Sequence, residues 1–383
     1  MRVAILGAVL LVIGLLAVAT GILPPGHALD LASRVWPILL FAVSVTVVAE
    51  LAAEAGVFSS LAGRLARVGL GRGWMLWLLV VALSVASTVF LSLDTTAVLL
   101  TPVVVLLARH NGLPPLPFAL TTVWLANAGS LLLPVSNLTN LLAEHALGFS
   151  DPGQFAALMA APAVVAIGVP CAVIAIVARS ALAQRYAPAP QQAADDRALF
   201  WISAAVVAVL LPLLVSGLPV WIPATVAAAT LLAAFAIRRR GALRFSLLPW
   251  QLVLFAAGLF LVVEAGHGVG LADLSAQVAG RGEDPGSLLR LAFAGMVSSN
   301  AIDNLPAYLA LEPTAGSPIR IGALLIGVNA GAIITPWGSL ATLLWHQRLV
   351  ALGVELRWSR YVLLGVAVAP ATVALATLAL AYA

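Results

Sequence analysis

Eight near-continuous apolar stretches constrain this chain more than any other feature: Val3 to Leu23, Val35 to Ala53, Trp74 to Leu91, Phe155 to Ala178, Leu199 to Val215, Val220 to Ile237, Leu247 to Val263 and Tyr361 to Tyr382. Each is close to the roughly 20 residues that a helix needs to cross a bilayer. Composition agrees, because a chain that is 62% hydrophobic and 9% charged, with a mean hydropathy of +1.10, lies outside the range of soluble domains. The fold class read from these facts is an all-α polytopic membrane protein. No segment is long and polar enough to form a separate soluble domain. The first stretch follows Arg2 as a secretory signal would, but it is long and lacks a small-residue cleavage site before Pro24, so it is read as a retained helix. The formal charge of +4 is spread thinly between apolar stretches, which points to membrane topology and away from nucleic acid.

Every basic residue is Arg, and cytoplasmic loops should hold most of them. With the amino terminus inside, Arg2, Arg64, Arg67, Arg72, Arg109, Arg179, Arg185, Arg197, Arg238, Arg239, Arg240, Arg244, Arg348, Arg357 and Arg360 fall inside, and Arg34, Arg281, Arg290 and Arg320 fall outside. That 15 to 4 split requires two segments, 74–109 and 287–312, to enter and leave on one side as re-entrant hairpins. Each has a polar cluster at its middle, Ser92 to Thr96 in the first and Ser298 to Pro306 in the second. Bent backbone at membrane depth is tolerated where it is buried in protein or lines a polar cavity.

The element NAGSLLLPVSNLTNLL at Asn127 to Leu142 returns as NAGAIITPWGSLATLL at Asn329 to Leu344, with seven identical positions in ungapped register. The Leu matches mean little in so apolar a chain; Asn, Ala, Gly and Pro in register carry the signal. The expected architecture is two inverted repeats, each with a re-entrant hairpin and an interrupted helix, as in secondary transporters. The first covers residues 1–178 with hairpin 74–109, and the second 219–383 with hairpin 287–312. Between them lie a cytoplasmic linker, 179–198, rich in Pro, Gln, Ala and Asp, and a connecting transmembrane helix, 199–216. Pro134 and Pro336 should mark the breaks, and Asn127 and Asn329 should occupy equivalent places.

An ionisable residue at membrane depth is a functional candidate by default. Asp94 and Asp303 sit at the two hairpin tips, where pseudo-symmetry would bring both to one central cavity. The alternative for each is a structural carboxyl that holds its tip in shape. Polar neutral groups carry the binding expectation: Ser92, Thr95, Thr96, Asn127, Ser136, Asn137, Thr139 and Asn140 from the first half, and Ser298, Ser299, Asn300, Asn304, Asn329, Thr335, Ser339 and Thr342 from the second. About half should touch substrate or coupling ion, and the rest should cap or bond back to their own helices. Glu50, Glu54 and Glu264 fall toward span ends, where solvation at headgroup level is expected. No metal-ligand spacing occurs among the His residues, and no phosphate-binding loop occurs, since GLGRG at Gly69 to Gly73 lacks the Lys and Ser/Thr. No metal or cofactor is therefore expected.

The elements SLDTTAVLLTP, NAGSLLLPVSNLTNLL, SSNAIDNLPAYL and GVNAGAIITPWGSLATLLW, in this order, resemble the arsenite and antimonite efflux permeases of the ArsB type. These belong to an ion transporter superfamily that also holds dicarboxylate carriers and NhaD-type sodium/proton antiporters. The resemblance covers essentially the whole chain. It departs at Leu93, where such families carry Asn, and at Asp303 before Asn304, where they carry an Asn pair. It implies export of arsenical from the cytoplasm across the inner membrane, and it allows a separate cytoplasmic ATPase subunit or a homodimer as partner beside membrane lipid and a small-molecule substrate. Arsenic(III) held by thiolates would need several Cys, and the chain has one, Cys171. The cargo consistent with that count is the neutral hydroxide As(OH)3, exchanged for protons, with Asp94 carrying the coupling proton and Asp303 next in line for it. Sodium/proton exchange and dicarboxylate uptake are the alternatives within the superfamily, and a passive channel is the alternative of another class. No Arg falls at a predicted tip to pair a carboxylate, and broken hairpins in inverted repeats favour alternating access over a pore.

Overall fold

Lipid offers the backbone no hydrogen-bond partner, so apolar stretches of this length satisfy themselves as helices. The computed structural model describes residues 2–149, 151–188 and 196–383. In chain order the helices are α1 (Arg2–Ala19), α2 (Pro25–Glu54), α3 (Val57–Val68), α4 (Gly73–Leu91), α5 (Leu93–His110), α6 (Pro115–Ala128), α7 (Leu138–Leu147), α8 (Pro152–Val177), α9 (Arg197–Leu213), α10 (Trp221–Arg238), α11 (Trp250–Gly266), α12 (Ala272–Ala279), α13 (Pro285–Ile302), α14 (Asn304–Ala315), α15 (Pro318–Ala330), α16 (Leu340–Ala351) and α17 (Trp358–Ala381). Among the described residues, seven helices are long and apolar enough to cross a membrane by themselves. Several open with Pro in the first turn, as α2, α6, α8, α13 and α15 do, where its missing N–H costs nothing. Residues 189–195 of the expected linker lie outside the described residues.

The chain reverses at each hairpin tip. Thr96 Oγ1 donates to Ser87 Oγ and accepts from Thr88 Oγ1, both at 2.9 Å. In a continuous helix residues eight apart are separated by about 12 Å, so these bonds require the turn at Ser92 that joins α4 to α5. The second turn, joining α13 to α14, falls at Asp303. Ser92 has φ 91° and ψ 159°, and Asp303 has φ 87° and ψ 156°. Two non-glycine residues share one strained conformation, which costs on the order of 1–3 kcal/mol each and persists only where surrounding structure enforces it. The short amphipathic helix α3, absent from the sequence expectation, packs against both arms of the first hairpin. Likewise α12 packs against both arms of the second.

Packing exchanges counterparts between the halves. Helix α1 lies along α11, as α10 lies along α2, and α8 meets α17. Across the centre α7 touches α14 and α15, as α16 touches α5 and α6. This is the pattern a pseudo-two-fold relation between inverted halves produces.

Polar contacts sort the Arg residues as the topology count did. Arg239 pairs with Glu54 at 3.1 Å, Arg238 with Asp196 at 2.9 Å, Arg109 with the Leu352 and Gly353 carbonyls, and the Tyr186 hydroxyl with the Ala66 carbonyl. The Arg238 bond, helped by backbone N–H groups of α9, holds the Asp196 carboxyl below the usual carboxylate range. At the other face Arg34 pairs with Glu312, Arg290 donates to the Gln277 and Val278 carbonyls, and Arg320 donates to those of Gly280, Gly282 and Ala315. Each set joins groups predicted for the same side.

The contact of α1 with α11 depends on glycine. A Cβ on Gly258 would stand 2.4 Å from the Leu11 backbone nitrogen, and one on Gly7 would stand 2.7 Å from that of Phe255. Gly258→Ala is expected to cost about 1–3 kcal/mol through overpacking and to lower the thermal midpoint in detergent. Gly241→Ala, where nothing lies within 4 Å, is expected to stay within about 0.5 kcal/mol of the parent. Equal melting of the two variants would mean that this helix contact is looser than described.

Candidate functional site

Two hairpin tips and two helix breaks converge on one small cavity of about 50 Å³. The tips contribute Ser92, Leu93 and Asp94 from the first hairpin and Asp303, Asn304 and Leu305 from the second. The breaks contribute Val135, Asn137 and Leu138 at the start of α7 and Ser339, Leu340 and Ala341 at the start of α16. Helices α2 and α11 wall it with Phe41, Ala42, Val45, Thr46, Leu252 and Phe255.

The two carboxyls differ. Asp303 opens α14 and accepts the Leu305 backbone N–H at 3.2 Å, so part of its charge is committed to holding the tip. Its counterpart by torsion angle is Ser92, which caps the first turn of α5 through Thr95 N–H. Asp94 stands two residues farther on, at the position of Leu305 in the second tip. Among the described residues no protein donor bonds its carboxyl. It faces the cavity and lies near enough to Asp303 for their charges to interact.

The breaks are built by amides. Asn329 lies at the end of α15, buried, and bonds three residues of the other half. Its Oδ1 accepts from Asn137 Nδ2 and Thr139 Oγ1, and its Nδ2 donates to Asn140 Oδ1, all at 2.9 Å. Asn140 in turn donates to the Ser130 and Leu133 carbonyls freed by the first break, at 2.6 and 3.0 Å. Asn300, on the second hairpin, plays the corresponding part for the second break. Its Oδ1 accepts from the Ile334 and Thr335 N–H groups, its Nδ2 donates to the Gly331 carbonyl, and its own carbonyl accepts from Thr335 Oγ1 and Trp337 Nε1. Chain interruptions at this depth are otherwise costly.

The repeat register makes Asn127, Ser339 and Thr342 the counterparts of Asn329, Asn137 and Asn140. Yet Asn127 Nδ2 only bonds back to the Val123 carbonyl, while Asn127 Oδ1 and Ser339 Oγ are buried with no partner among the described residues, and the Thr342 hydroxyl lies beside that of Tyr361. One network is closed and its counterpart is open.

Of the residues singled out in the sequence, the cavity gathers Ser92, Asp94, Asn137, Asp303, Asn304 and Ser339. Thr95 lines the adjoining cavity described below, and its hydroxyl bonds the Leu91 carbonyl. Thr96 secures the first tip, and Ser136 donates to the Val89 carbonyl. Asn127, Thr139, Asn140, Asn300, Asn329, Thr335 and Thr342 shape the breaks or lie beside them. Ser299 bonds back to the Met296 carbonyl, and Ser298 does not line the cavity. Cys171, on α8, lines none of these walls.

A second cavity, of about 360 Å³, opens toward the Arg-rich face and shares Asp94, Thr46, Leu252 and Leu340 with the central one. Glu50, Gln251 and Arg348 also line it. A third, of about 420 Å³ on the opposite face, shares only Leu141 with the centre. The site is therefore more closely joined to the Arg-rich face. Sequence reasoning missed Thr46 and placed Glu50 at headgroup level; the spacing of Ala42, Thr46 and Glu50, four residues apart on one helix face, was the signal available.

Known proteins match along the whole chain. The family model described as "Citrate transporter" matches residues 2–322. The "Arsenical pump membrane protein" of Escherichia coli (strain K12) is 31% identical over 92% of this chain and 87% of its own length. That of Yersinia enterocolitica is 30% identical over the same shares. The YdaH transporter of Alcanivorax borkumensis, whose crystal structure is described as having an unusual topology, is 15% identical and superposes with a TM-score of 0.60 over 100% of this chain and 97% of that one. This last likeness concerns the fold.

Replacing Asn329 by Leu removes three cross-half bonds and strands their partners, at about 1–3 kcal/mol for each group left unsatisfied. Asn127→Leu removes one bond within its own helix. Asn329→Leu should therefore lower the thermal midpoint far more than Asn127→Leu. The reverse order would show that the open network is the one that holds the halves together.

Proposed function

The chain belongs to the arsenical pump membrane proteins within the citrate-transporter family, and on that premise we propose that it is a secondary active transporter exporting arsenite or antimonite as the neutral hydroxide in exchange for protons. The observation that carries the proposal is the unbonded carboxyl of Asp94, set in a central cavity that it shares with the capping carboxyl of Asp303 and that is otherwise made of hydroxyls, amides and apolar side chains, with no Arg, Lys or Cys in its lining.

As(OH)3 offers three hydroxyls, each a donor and an acceptor. Ser92, Asn137, Asn304 and Ser339 can meet them, and the Asp94 carboxylate can accept a hydrogen bond from one of the hydroxyls. The neutral cargo supplies no charge, so accumulation against a gradient needs a protein group that alternates between proton and substrate. In the proposed cycle Asp94 binds cargo as the carboxylate from the cytoplasm. After reorientation it exchanges cargo for a proton outside, returns protonated and releases the proton inside. The cytoplasmic side is taken as the Arg-rich face, and the inner membrane is the proposed location. The two halves with broken helices provide the alternating access that distinguishes a carrier from a passive channel.

A carboxylate substrate, which the family description suggests, is the second reading. Against it, Asp94 and Asp303 face the same 50 Å³ space with no cation to pair a carboxylate cargo. Sodium in place of the proton is the variant of the first reading that the hydroxyls also allow.

Everted vesicles test both readings. Arsenite should accumulate under an imposed proton gradient and without sodium. Asp94→Asn, nearly isosteric, should reduce that accumulation to background while leaving insertion intact, and Asp303→Asn should be milder. Accumulation by Asp94→Asn with normal pH dependence would remove the proton from Asp94, and accumulation that follows sodium alone would replace it with that ion.

A further inference from the structure

We propose that Glu50 is a proton-relay residue that passes the coupling proton between Asp94 and the Arg-rich face. This rests on Asp94 carrying that proton, as proposed above, and adds the route by which the proton leaves. The 360 Å³ cavity between the central site and the Arg-rich face is lined by two carboxyls, Asp94 at its inner end and Glu50 on α2. Thr46 lies one turn before Glu50 and lines both cavities. Glu50, expected near the end of its span, faces the vestibule of the site.

The charge around it explains why a relay is needed. Arg348, from α16, lines the same cavity and acts on Glu50 through space. A cation alone in this passage would repel a departing proton. Glu50 offsets that field without being locked to Arg348, since their separation exceeds the 4.0 Å of an ion pair. The remaining charge acting on Glu50 is Glu54, one turn on, and Glu54 is itself paired with Arg239 of α10 at 3.1 Å. From α11 the cavity receives Gln251 and apolar side chains, and from the turn before α11 apolar ones. Chains of carboxyls serve as proton relays in membrane pumps and transporters. In the step proposed, Asp94 loses its proton to water in the cavity, the Glu50 carboxylate takes up one proton from that water, and Glu50 then releases it to the aqueous phase. Asp94 is left as the carboxylate that binds the next cargo.

The test uses the full chain in everted vesicles, with kcat and KM for arsenite measured under a proton gradient. Glu50→Gln should lower kcat about tenfold with little change in KM, the signature of a lost step after binding. Glu50→Asp should restore much of the rate. Added formate, a small weak acid able to enter the cavity, should partly restore the Glu50→Gln rate, which a structural defect would not permit. Asp94→Asn should not respond to formate. Unchanged kcat in Glu50→Gln, or a loss that neither Asp nor formate repairs, overturns the relay. A formate-insensitive, pH-dependent rate in Asp94→Asn instead overturns the assignment of the proton to Asp94.

Discussion

Backbone that leaves its helix inside a membrane must find hydrogen-bond partners in protein, and this requirement organises the centre of the molecule. The first break is answered by Asn140, which binds the Ser130 and Leu133 carbonyls and is held in turn by Asn329 from the opposite half. The second is answered by Asn300, reaching from the second hairpin to Gly331, Ile334 and Thr335. Asn140 is held in place from the opposite half and Asn300 comes from the second hairpin, so each break draws on residues outside its own helix. The breaks, the hairpins and the cavity between them are therefore one folding unit, and the binding surface is what remains after the backbone has been satisfied.

The halves are related but not equal. The amide network around Asn329 is closed, whereas its counterpart leaves Asn127 Oδ1 and Ser339 Oγ buried with no partner among the described residues. Unsatisfied buried groups cost about 1–3 kcal/mol each, and of these Ser339 lines the central cavity. The tips are unequal as well: Asp303 is occupied in capping α14, while Asp94 faces the cavity unbonded. The cavity thus presents a free carboxyl, Asp94, from the first half and an open hydroxyl, Ser339, from the second.

Much of this was legible in the residues. Apolar stretches of spanning length located the membrane helices, the Arg count demanded hairpins whose tips fall at Ser92 and Asp303, and the repeated Asn-Ala-Gly with its proline located both breaks. Those signals are local or periodic. What stayed hidden depends on tertiary placement. Asn329 and Asn127 occupy matching places in the sequence, and only the fold makes one a hub and the other a bystander. Asp94 and Asp303 looked like tip equivalents, but the backbone torsions pair Asp303 with Ser92. Glu50 sits near a span end by count, and only the packing around α2, at 30 residues about 45 Å long, shows that it lines the vestibule. The amphipathic helices α3 and α12 escaped because they are short, with no apolar run to announce them.

The central claim is that both hairpin tips and both breaks bind a single arsenical between them. Anomalous X-ray scattering at the arsenic edge, from crystals of the transporter soaked in arsenite, locates the cargo directly. The account predicts one peak in the central cavity, within hydrogen-bonding distance of Asp94 and of hydroxyls or amides from both halves, among them Ser92 and Ser339. A peak at Cys171, or one in the outer cavity beside Arg34 with the centre empty, would contradict it.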